Sequence, residues 1–276
     1  MTKIVCVLSG GSAKGAAHVG AIKALFEWDL RPAHYVGTSI GAVMGACFAS
    51  GLAYEEVLRR ISTLTRRDVA VLSPAALLGV FAKSLFQGRT WRETIETLVP
   101  ASTFEELETP LTVTAVDGDS GDLVLFGAGG RSDVSLPDAL YASCALPLYY
   151  PPARIDDRVY VDGGLRAVFP LDVAGQFDPD VVFGVNVGPL LYTAPPVDEH
   201  PPPGLLGAHR RAMRIMMGAQ SEEVIGRWTR ERPNDLVLVQ PQIRGRAVFS
   251  LDRIVEYVEK GYRAAQRALA DWRSVD

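Results

Sequence analysis

Apolar and polar positions alternate along this chain in a way that predicts a layered α/β fold. Short apolar runs, rich in β-branched residues, begin near positions 3, 35, 111, 181 and 236. The segments between them carry apolar residues at three- and four-residue steps, as residues 16–28 do, and this spacing is helical. Strands separated by helices favour a mostly parallel central sheet with helices on both faces, a three-layer α/β/α architecture.

Two antiparallel additions to this sheet are also predicted. The apolar run 111–116 is followed by a glycine turn and by a second run at 123–126, which favours a hairpin or a sheet edge. Residues 154–161 form another predicted hairpin, and it ends at Asp162. Amphipathic spacing predicts further helices over residues 54–66, 135–146, 205–228 and 251–272.

Outside the sheet, four segments carry further predictions. Residues 69–86 have few charges, and they form either a lid or acyl-chain wall or an ordinary core helix. A capping box at Thr90–Glu93 predicts the start of another helix. Residues 193–204 contain five prolines and are expected to form a loop. The helix at 205–228 is basic and rich in methionine, so it either packs on the core with a solvated charged face or lies on an anionic membrane.

The composition is that of an ordinary globular protein. The 276 residues are 48% hydrophobic and 22% charged, and we expect one domain over residues 1–276, with core motifs in 3–172 and a C-terminal strand and helices in 180–272. The formal net charge of −4 gives no basic footprint for nucleic acid, which we exclude as a partner. Three widely spaced cysteines in apolar settings are expected to be buried free thiols: Cys6, Cys47 and Cys144.

The sequence predicts no targeting or membrane-spanning segment. The apolar run before Ser9 is too short for a signal peptide, and no run approaches the ~18 apolar residues of a membrane span. We therefore expect a cytoplasmic protein, with transient contact at a membrane surface left open.

Residues 35–42 place a serine in a pattern typical of a nucleophile elbow. An apolar run enters G-x-S-x-G, formed by Gly37, Ser39 and Gly41, and leaves into a predicted helix that begins at Ile40. A serine at a sharp strand-to-helix turn exposes its hydroxyl above the sheet, and the glycines remove side chains that would collide there. The helix N-terminus favours a developing oxyanion at the same place. Alone, the pattern also fits a plain small-residue turn.

A glycine-rich loop, Ser9–Gly15, follows the first predicted strand. A phosphate-binding P-loop would need Lys and Ser/Thr after Gly15, where this chain has alanines, and the dinucleotide fingerprint fails at Ser12. Glycines such as Gly10 and Gly11 let backbone N–H groups point outward to bind an anion. Oxyanion binding is therefore the preferred interpretation of this loop.

Asp162 is a candidate for the base that takes the Ser39 proton during attack. It ends a β-branched run and is followed by Gly163 and Gly164, although D-G-G also occurs in plain turns. Its carboxylate would lie in a strand-end position suited to catalysis.

Histidine is the usual base in α/β-hydrolases, where it follows the acid in the chain. After Asp162 only His200 and His209 remain, in a proline-rich loop and on an arginine-rich helix, and neither has the small-residue setting of a positioned catalytic group. His18, beside the glycine loop, is a further alternative.

In their order along the chain, these motifs resemble those of the patatin-like phospholipase family. The likeness covers nearly the whole chain. It rests on residues 10–20, 37–41, 115–121, 142–147 with Pro151 and Pro152, 162–164, 236–241 and 260–265.

The resemblance implies a Ser-Asp dyad without histidine, in which Asp162 accepts the Ser39 proton and later activates water. It implies an oxyanion hole built from N–H groups of the loop and of the elbow helix: Gly10, Gly11, Ser12 and Ile40. Lys14 would brace the loop, and further glycines would support the motifs: Gly15, Gly37, Gly41, Gly163 and Gly164. With a carboxylate base, the rate should show no step near the imidazole pKa of about 6.5.

The implied reaction is hydrolysis of a fatty acyl ester, such as a phospholipid or lysophospholipid, through an acyl-Ser39 intermediate and without metal or cofactor. A water-soluble carboxylesterase, an acyltransferase and a non-catalytic lipid-binding protein remain alternatives. The chain departs from the family pattern twice. Ser12 replaces a usual glycine, which restricts the backbone if φ must be positive, and Val168 replaces a usual asparagine.

Overall fold

A computed structural model of the protein describes residues 2–74, 76, 84–191, 204–243 and 251–274. These residues form one eight-stranded sheet. Its strands, in chain order, are β1 (Ile4–Leu8), β2 (Pro32–Thr38), β3 (Leu111–Asp117), β4 (Leu123–Gly127), β5 (Ala153–Ile155), β6 (Arg158–Asp162), β7 (Val181–Val185) and β8 (Leu236–Val239).

The sheet is parallel in its centre and antiparallel at one side. Strands β3, β2, β1, β7 and β8 lie side by side and run parallel, and they are the five apolar runs of the sequence. β4 pairs antiparallel with β3, and the β5–β6 hairpin pairs with the other edge of β3. Both predicted hairpins are thus present, and the carboxyl ends of β1, β2 and β7 meet at one edge of the sheet.

The helices connect these strands and cover both faces of the sheet. They are α1 (Ala16–Glu27), α2 (Ile40–Ala49), α3 (Tyr54–Ser62), α4 (Arg66–Val69), α5 (Gly88–Leu98), α6 (Leu136–Cys144), α7 (Gly164–Ala167), α8 (Leu171–Gly175), α9 (Leu205–Glu231) and α10 (Ile254–Arg273).

The sheet separates two apolar cores. Successive side chains of a strand point to opposite faces, and accordingly Ile4, Cys6 and Leu8 of β1 belong to one core while Val5 and Val7 belong to the other. Helices α1, α2, α5, α6 and α10 cover the first core, and α8 with the second half of α9 covers the other. The predicted three-layer α/β/α architecture is confirmed.

The last helix, α10, packs directly against α1. This packing also fixes the position of the glycine loop that precedes α1. A Cβ added at Gly20 would lie 1.9 Å from the Val258 carbonyl oxygen, and one added at Gly261 would lie 1.9 Å from that of Ala17. The two helices are therefore in backbone contact, which only glycine permits.

The predicted capping box at Thr90–Glu93 is wrong. α5 begins earlier, at Gly88, because residues 85–87 are held extended by backbone hydrogen bonds to Leu148, Tyr149 and Val71. Tertiary pairing of the preceding segment therefore fixes the helix start. A capping box does form elsewhere, between Thr65 and Asp68 at the start of α4.

Some expectations fall outside the described residues. The lid interpretation of 69–86 depends on residues 75 and 77–83, and the proline-rich loop depends on 192–203, so both stay predictions. In the described part of the chain, no helix combines the length and apolarity needed to cross a bilayer. The three cysteines are buried and free, as predicted: Cys6, Cys47 and Cys144.

Candidate active site

Ser39 lies at a strained turn between β2 and α2. Its φ is 55° and its ψ is −128°, a combination that costs a non-glycine residue on the order of 1–3 kcal/mol and that is common at active sites. A Cβ at Gly37 would lie 2.5 Å from the Ala42 Cα, and one at Gly41 would lie 2.2 Å from the Leu8 carbonyl oxygen. Both glycines of G-x-S-x-G are therefore required by close backbone approach.

The Ser39 hydroxyl donates a hydrogen bond of 2.9 Å to Oδ2 of Asp162. Asp162 is the last residue of β6, where it pairs with Ala115 of β3, and its Oδ1 accepts the Gly164 N–H at 2.7 Å. The adjacent Gly163 has no room for a Cβ, which would lie 2.4 Å from the Thr114 carbonyl oxygen. The D-G-G sequence thus orients the carboxylate as well as turning the chain.

Burial changes the acidity of this carboxyl group. Asp162 is 4% exposed, and loss of solvation raises its pKa to about 7, although the hydrogen bonds from Gly164 and Ser39 act in the opposite direction. A base that ionises near neutral pH is well matched to proton transfer in that range. With this pKa the carboxylate itself is expected to give a rate step near pH 7, so a step in that region would not identify a histidine base.

The glycine loop lies beside Ser39. A Cβ at Gly10 would be 3.5 Å from the Ser39 Cβ. The Gly10 N–H, however, donates to the Val168 carbonyl at 2.9 Å, so the prediction that Gly10 supplies an oxyanion donor is corrected. In the described part of the chain, the N–H groups of the other predicted donors form no hydrogen bond outside regular helix and strand pairing: Gly11, Ser12 and Ile40.

Both departures from the family pattern have a structural counterpart. Ser12 has φ of 52°, a conformation that favours glycine, so the predicted backbone restriction applies. Val168 is buried, and its carbonyl holds Gly10. Residue 168 therefore makes its polar contact with the glycine loop through its backbone carbonyl, since the valine side chain has no polar group.

Ser143 is a functional candidate that the sequence did not identify. Its hydroxyl, fully buried on α6, accepts the Ser39 N–H at 2.7 Å. Thr38 and Thr114 add a hydroxyl pair of 2.7 Å below the turn, and Thr38 also donates to the Ala167 carbonyl. The only sequence signal was a serine within the apolar 142–147 block.

In the described part of the chain, His18 forms no hydrogen bond with Ser39 or Asp162. It is fully buried, its Nε2 lies 2.9 Å from the Ser9 carbonyl oxygen, and burial lowers its pKa to about 4. A neutral histidine in this position stabilises the end of β1. His209 lies on α9 against the Tyr149 ring, and His200 is outside the described residues.

The remaining predicted residues support the loop and the elbow. Gly15 faces the Ile40 side chain so closely that a Cβ would lie 2.5 Å from Ile40 Cγ1. Lys14 lies in the short 3₁₀ turn Ser12–Gly15. In the part of the chain that the structure describes, no cluster of three or more His, Cys, Asp or Glu side chains is arranged to hold a metal ion.

Known proteins share this sequence pattern and this fold. The chain matches the profile of the family described as patatin-like phospholipase over residues 6–174. It is 28% identical over 186 residues to an uncharacterized NTE family protein of Mycobacterium tuberculosis, covering 67% of this chain and 49% of that one. It is 30% identical over 187 residues to patatin-like phospholipase domain-containing protein 7 of Mus musculus, covering 67% of this chain and 14% of that protein.

The structure of VipD from Legionella pneumophila matches this chain with a TM-score of 0.53 at 14% identity, covering 98% of this chain and 67% of that one. This likeness indicates a shared fold. The chain spans about half the length of its mycobacterial relative. Since the family profile covers more than half of the chain and includes both Ser39 and Asp162, the chain belongs to the patatin-like phospholipase family.

Proposed function

We propose that this protein hydrolyses fatty acyl esters of phospholipids, lysophospholipids or related lipids, with Ser39 as nucleophile and Asp162 as base. The observation that carries the proposal is the 2.9 Å hydrogen bond between the Ser39 hydroxyl and the buried Asp162 carboxylate. Family membership supports the lipid ester as the substrate class.

Acylation begins with attack of Ser39 Oγ on the ester carbonyl carbon, while the hydroxyl proton moves to Asp162 Oδ2. The carbonyl oxygen becomes an oxyanion, which in this proposal the N–H groups of Gly11, Ser12 and Ile40 stabilise. The tetrahedral species then expels the alcohol, which takes the proton from Asp162. An acyl ester of Ser39 remains.

Deacylation repeats these steps with water as the nucleophile. Asp162 takes one proton from water as the hydroxide adds to the acyl carbon. Collapse of the second tetrahedral species releases the fatty acid, and the proton returns to Ser39 Oγ. The same carboxylate serves in both halves because the Gly164 N–H holds its Oδ1 and leaves Oδ2 for the proton.

Strain at Ser39 contributes to this chemistry. The turn holds the hydroxyl above the sheet before substrate binds. No entropy is therefore lost in orienting this hydroxyl during each catalytic cycle. Contacts from Ser143 and from the close-packed glycines stabilise the strained backbone.

A fluorophosphonate probe tests the proposal directly. Wild-type protein should be labelled at Ser39, and Ser39→Ala should remove labelling and turnover without loss of fold. Asp162→Asn should reduce both strongly, whereas the matched buried change His18→Gln, in folded protein, should preserve labelling. An active Ser39→Ala protein, or labelling that depends on His18, contradicts the mechanism. A panel of acyl esters, scored for free fatty acid, then separates hydrolysis from transfer to another alcohol.

A further inference from the structure

The middle of α9 makes hydrogen bonds to two separate segments of the candidate active site. Gln220 and Glu222 lie about 200° apart around the helix, at 100° per residue, and Ser221 is fully buried between them. Each of the two side chains bonds to the main chain of a different segment. This helix is therefore placed to fix where those two segments lie.

On one side, Gln220 holds the connection that orients the acid. Its Nε2 donates to the Leu165 carbonyl at 2.8 Å, and Leu165 follows Gly164, whose N–H donates to Oδ1 of Asp162 at 2.7 Å. A Cβ at Gly164 would lie 3.1 Å from Cε of Met217, one turn earlier on α9. A movement of this connection away from α9 would therefore displace the donor that orients the Asp162 carboxylate.

On the other side, Glu222 holds the segment that follows β7. Its Oε1 accepts the Leu191 N–H at 2.7 Å, and a Cβ at Gly218 would lie 2.8 Å from Leu191 Cδ2. Pro189 has a fixed φ, so residues 187–191 have limited freedom to absorb a displacement. Leu191 is thus fixed to α9 both by a hydrogen bond and by packing.

The beginning of the same segment contacts the glycine loop. The Val187 N–H donates to Ser9 Oγ at 2.8 Å, and that hydroxyl donates to the Gly10 carbonyl at 3.1 Å. A Cβ at Gly11 would lie 2.6 Å from Val187 Cγ2. Because such close packing transmits displacements, a shift of Val187 would move the loop that carries the proposed oxyanion donors.

We propose that Gln220 and Glu222 are positioning residues for ester hydrolysis. Gln220 sets the Asp162 carboxylate through the main chain of α7, and Glu222 sets the glycine loop through residues 187–191. A displacement of about 1 Å at a reacting group can lower a rate on the order of a hundredfold. This inference rests on the proposed function, since it assigns both side chains to the same reaction.

Hydrolysis of a short water-soluble ester by folded protein tests the two side chains. Glu222→Met removes the acceptor and should lower kcat roughly tenfold with little change in KM, whereas Glu222→Gln keeps an acceptor oxygen and should retain the wild-type kcat. Gln220→Met removes the donor to Leu165 and should lower kcat to a similar extent. Glu223→Met is the matched control, because Glu223 is 77% exposed and pairs with Arg227, and it should have no effect.

Two results of this assay would overturn the proposal. One is an unchanged kcat in both Gln220→Met and Glu222→Met. The other is a loss that Glu222→Gln or Glu223→Met shows equally, since the effect would then follow charge or helix stability and not the hydrogen bond to Leu191.

A double variant tests the route from Glu222 to the glycine loop. Ser9→Ala removes the hydroxyl that joins Val187 to the loop, so it should also lower kcat. Because Ser9 and Glu222 act in one chain of contacts, the double variant Ser9→Ala with Glu222→Met should be about as slow as the slower single variant. Fully additive losses in folded protein would contradict the proposal.

Amide hydrogen exchange tests the positions without any substrate. Glu222→Met should speed exchange at Ser9 and Gly10, whose N–H groups donate to main-chain carbonyls, and Gln220→Met should speed exchange at Gly164. Glu223→Met should change neither. Exchange that stays at the wild-type rate in both variants would overturn the inference, whatever the protein hydrolyses.

The outcomes separate this inference from the proposed function. Faster exchange in a protein that neither hydrolyses esters nor reacts with a fluorophosphonate supports the positioning contacts and contradicts the function. Labelling of Ser39 at one rate in the wild type, Gln220→Met and Glu222→Met supports the function and contradicts the inference.

Discussion

The main-chain N–H of Ser39 is held by the hydroxyl of Ser143 at 2.7 Å, across 104 residues of chain. The strained turn at Ser39 is therefore not stabilised by its own strand and helix alone. Helix α6 contributes a single buried oxygen atom, and it satisfies a donor that the turn would otherwise leave unpaired.

Ser143→Ala should lower kcat by roughly ten- to a hundredfold, because Ser39 loses the contact that fixes its backbone. Unfolding free energy should fall by about 1–3 kcal/mol. The rate of fluorophosphonate labelling, normalised to folded protein, separates positioning from stability. Ser221→Ala is the matched control, since that hydroxyl is fully buried and has no partner in the described chain, and it should change neither quantity. Equal labelling rates in wild type and Ser143→Ala would refute the positioning role.

The rate of ester hydrolysis should depend on the ionisation of Asp162. Burial raises the pKa of Asp162 to about 7. Because the base must be deprotonated, kcat/KM should be low in acid and should increase as the pH rises through 7. His18, with a pKa lowered to about 4, is neutral throughout this range. A pH profile of His18→Gln should therefore keep the step. Loss of the step in that variant would return the base role to histidine.

The same pKa predicts a stability cost. The unfolded pKa of an aspartate is about 3.9, so between pH 4 and 7 the folded protein binds more protons at Asp162 than the unfolded chain does. Stability from this group therefore falls as pH rises through that window and stays low above it. Asp162→Asn should be more stable than wild type at pH 8, by up to about 4 kcal/mol, and nearly equal to it at pH 4. Chemical unfolding at both pH values measures this, and a variant that is less stable at pH 8 would contradict it.

Position 12 should tolerate substitution by glycine better than substitution by a β-branched residue. Its φ of 52° costs a non-glycine residue roughly 1 kcal/mol, which Gly recovers at some cost in unfolded-state entropy. Ser12→Gly should keep kcat and leave stability within about 1 kcal/mol. Ser12→Val should slow turnover, by roughly tenfold or more, as the loop shifts its N–H groups.

Asp178→Val is the control for Ser12→Val. Asp178 also has positive φ, 46°, but it lies in an exposed turn after α8. Valine there should lower thermal stability without changing kcat/KM. If both valine variants affect activity equally, the Ser12 effect is one of global stability and the loop has no special role.

Local patterns were enough to predict most of the fold. The structures of β1 and of the G-x-S-x-G turn at residues 37–41 are determined by residues that are adjacent in the sequence. Apolar periodicity and the placement of glycines are therefore enough to predict them. The position of Asp162 at the end of β6 was predicted for the same reason, because a hairpin and two glycines fix where its strand ends. Its proposed role as base came instead from the resemblance to the family.

Contacts between distant segments could not be predicted in this way. The Gly10 N–H looked available from the loop sequence, but Val168, 158 positions later, accepts it. The start of α5 was misplaced because residues 85–87 pair with a segment that follows α6. The Asp162 pKa depends on how many atoms surround the carboxyl group, and no single motif contains that information.

The hydrogen bond from Gly10 to Val168 also sets a rule for protein engineering. Asp162 and Val168 are joined by one short connection through α7, so lengthening it would displace the acid and the glycine loop together. Grafted sequence belongs instead at the β3–β4 turn, where a Cβ on Gly121 would meet no atom within 4 Å. We therefore expect insertions to be tolerated at the β3–β4 turn and to be disruptive between Asp162 and Val168.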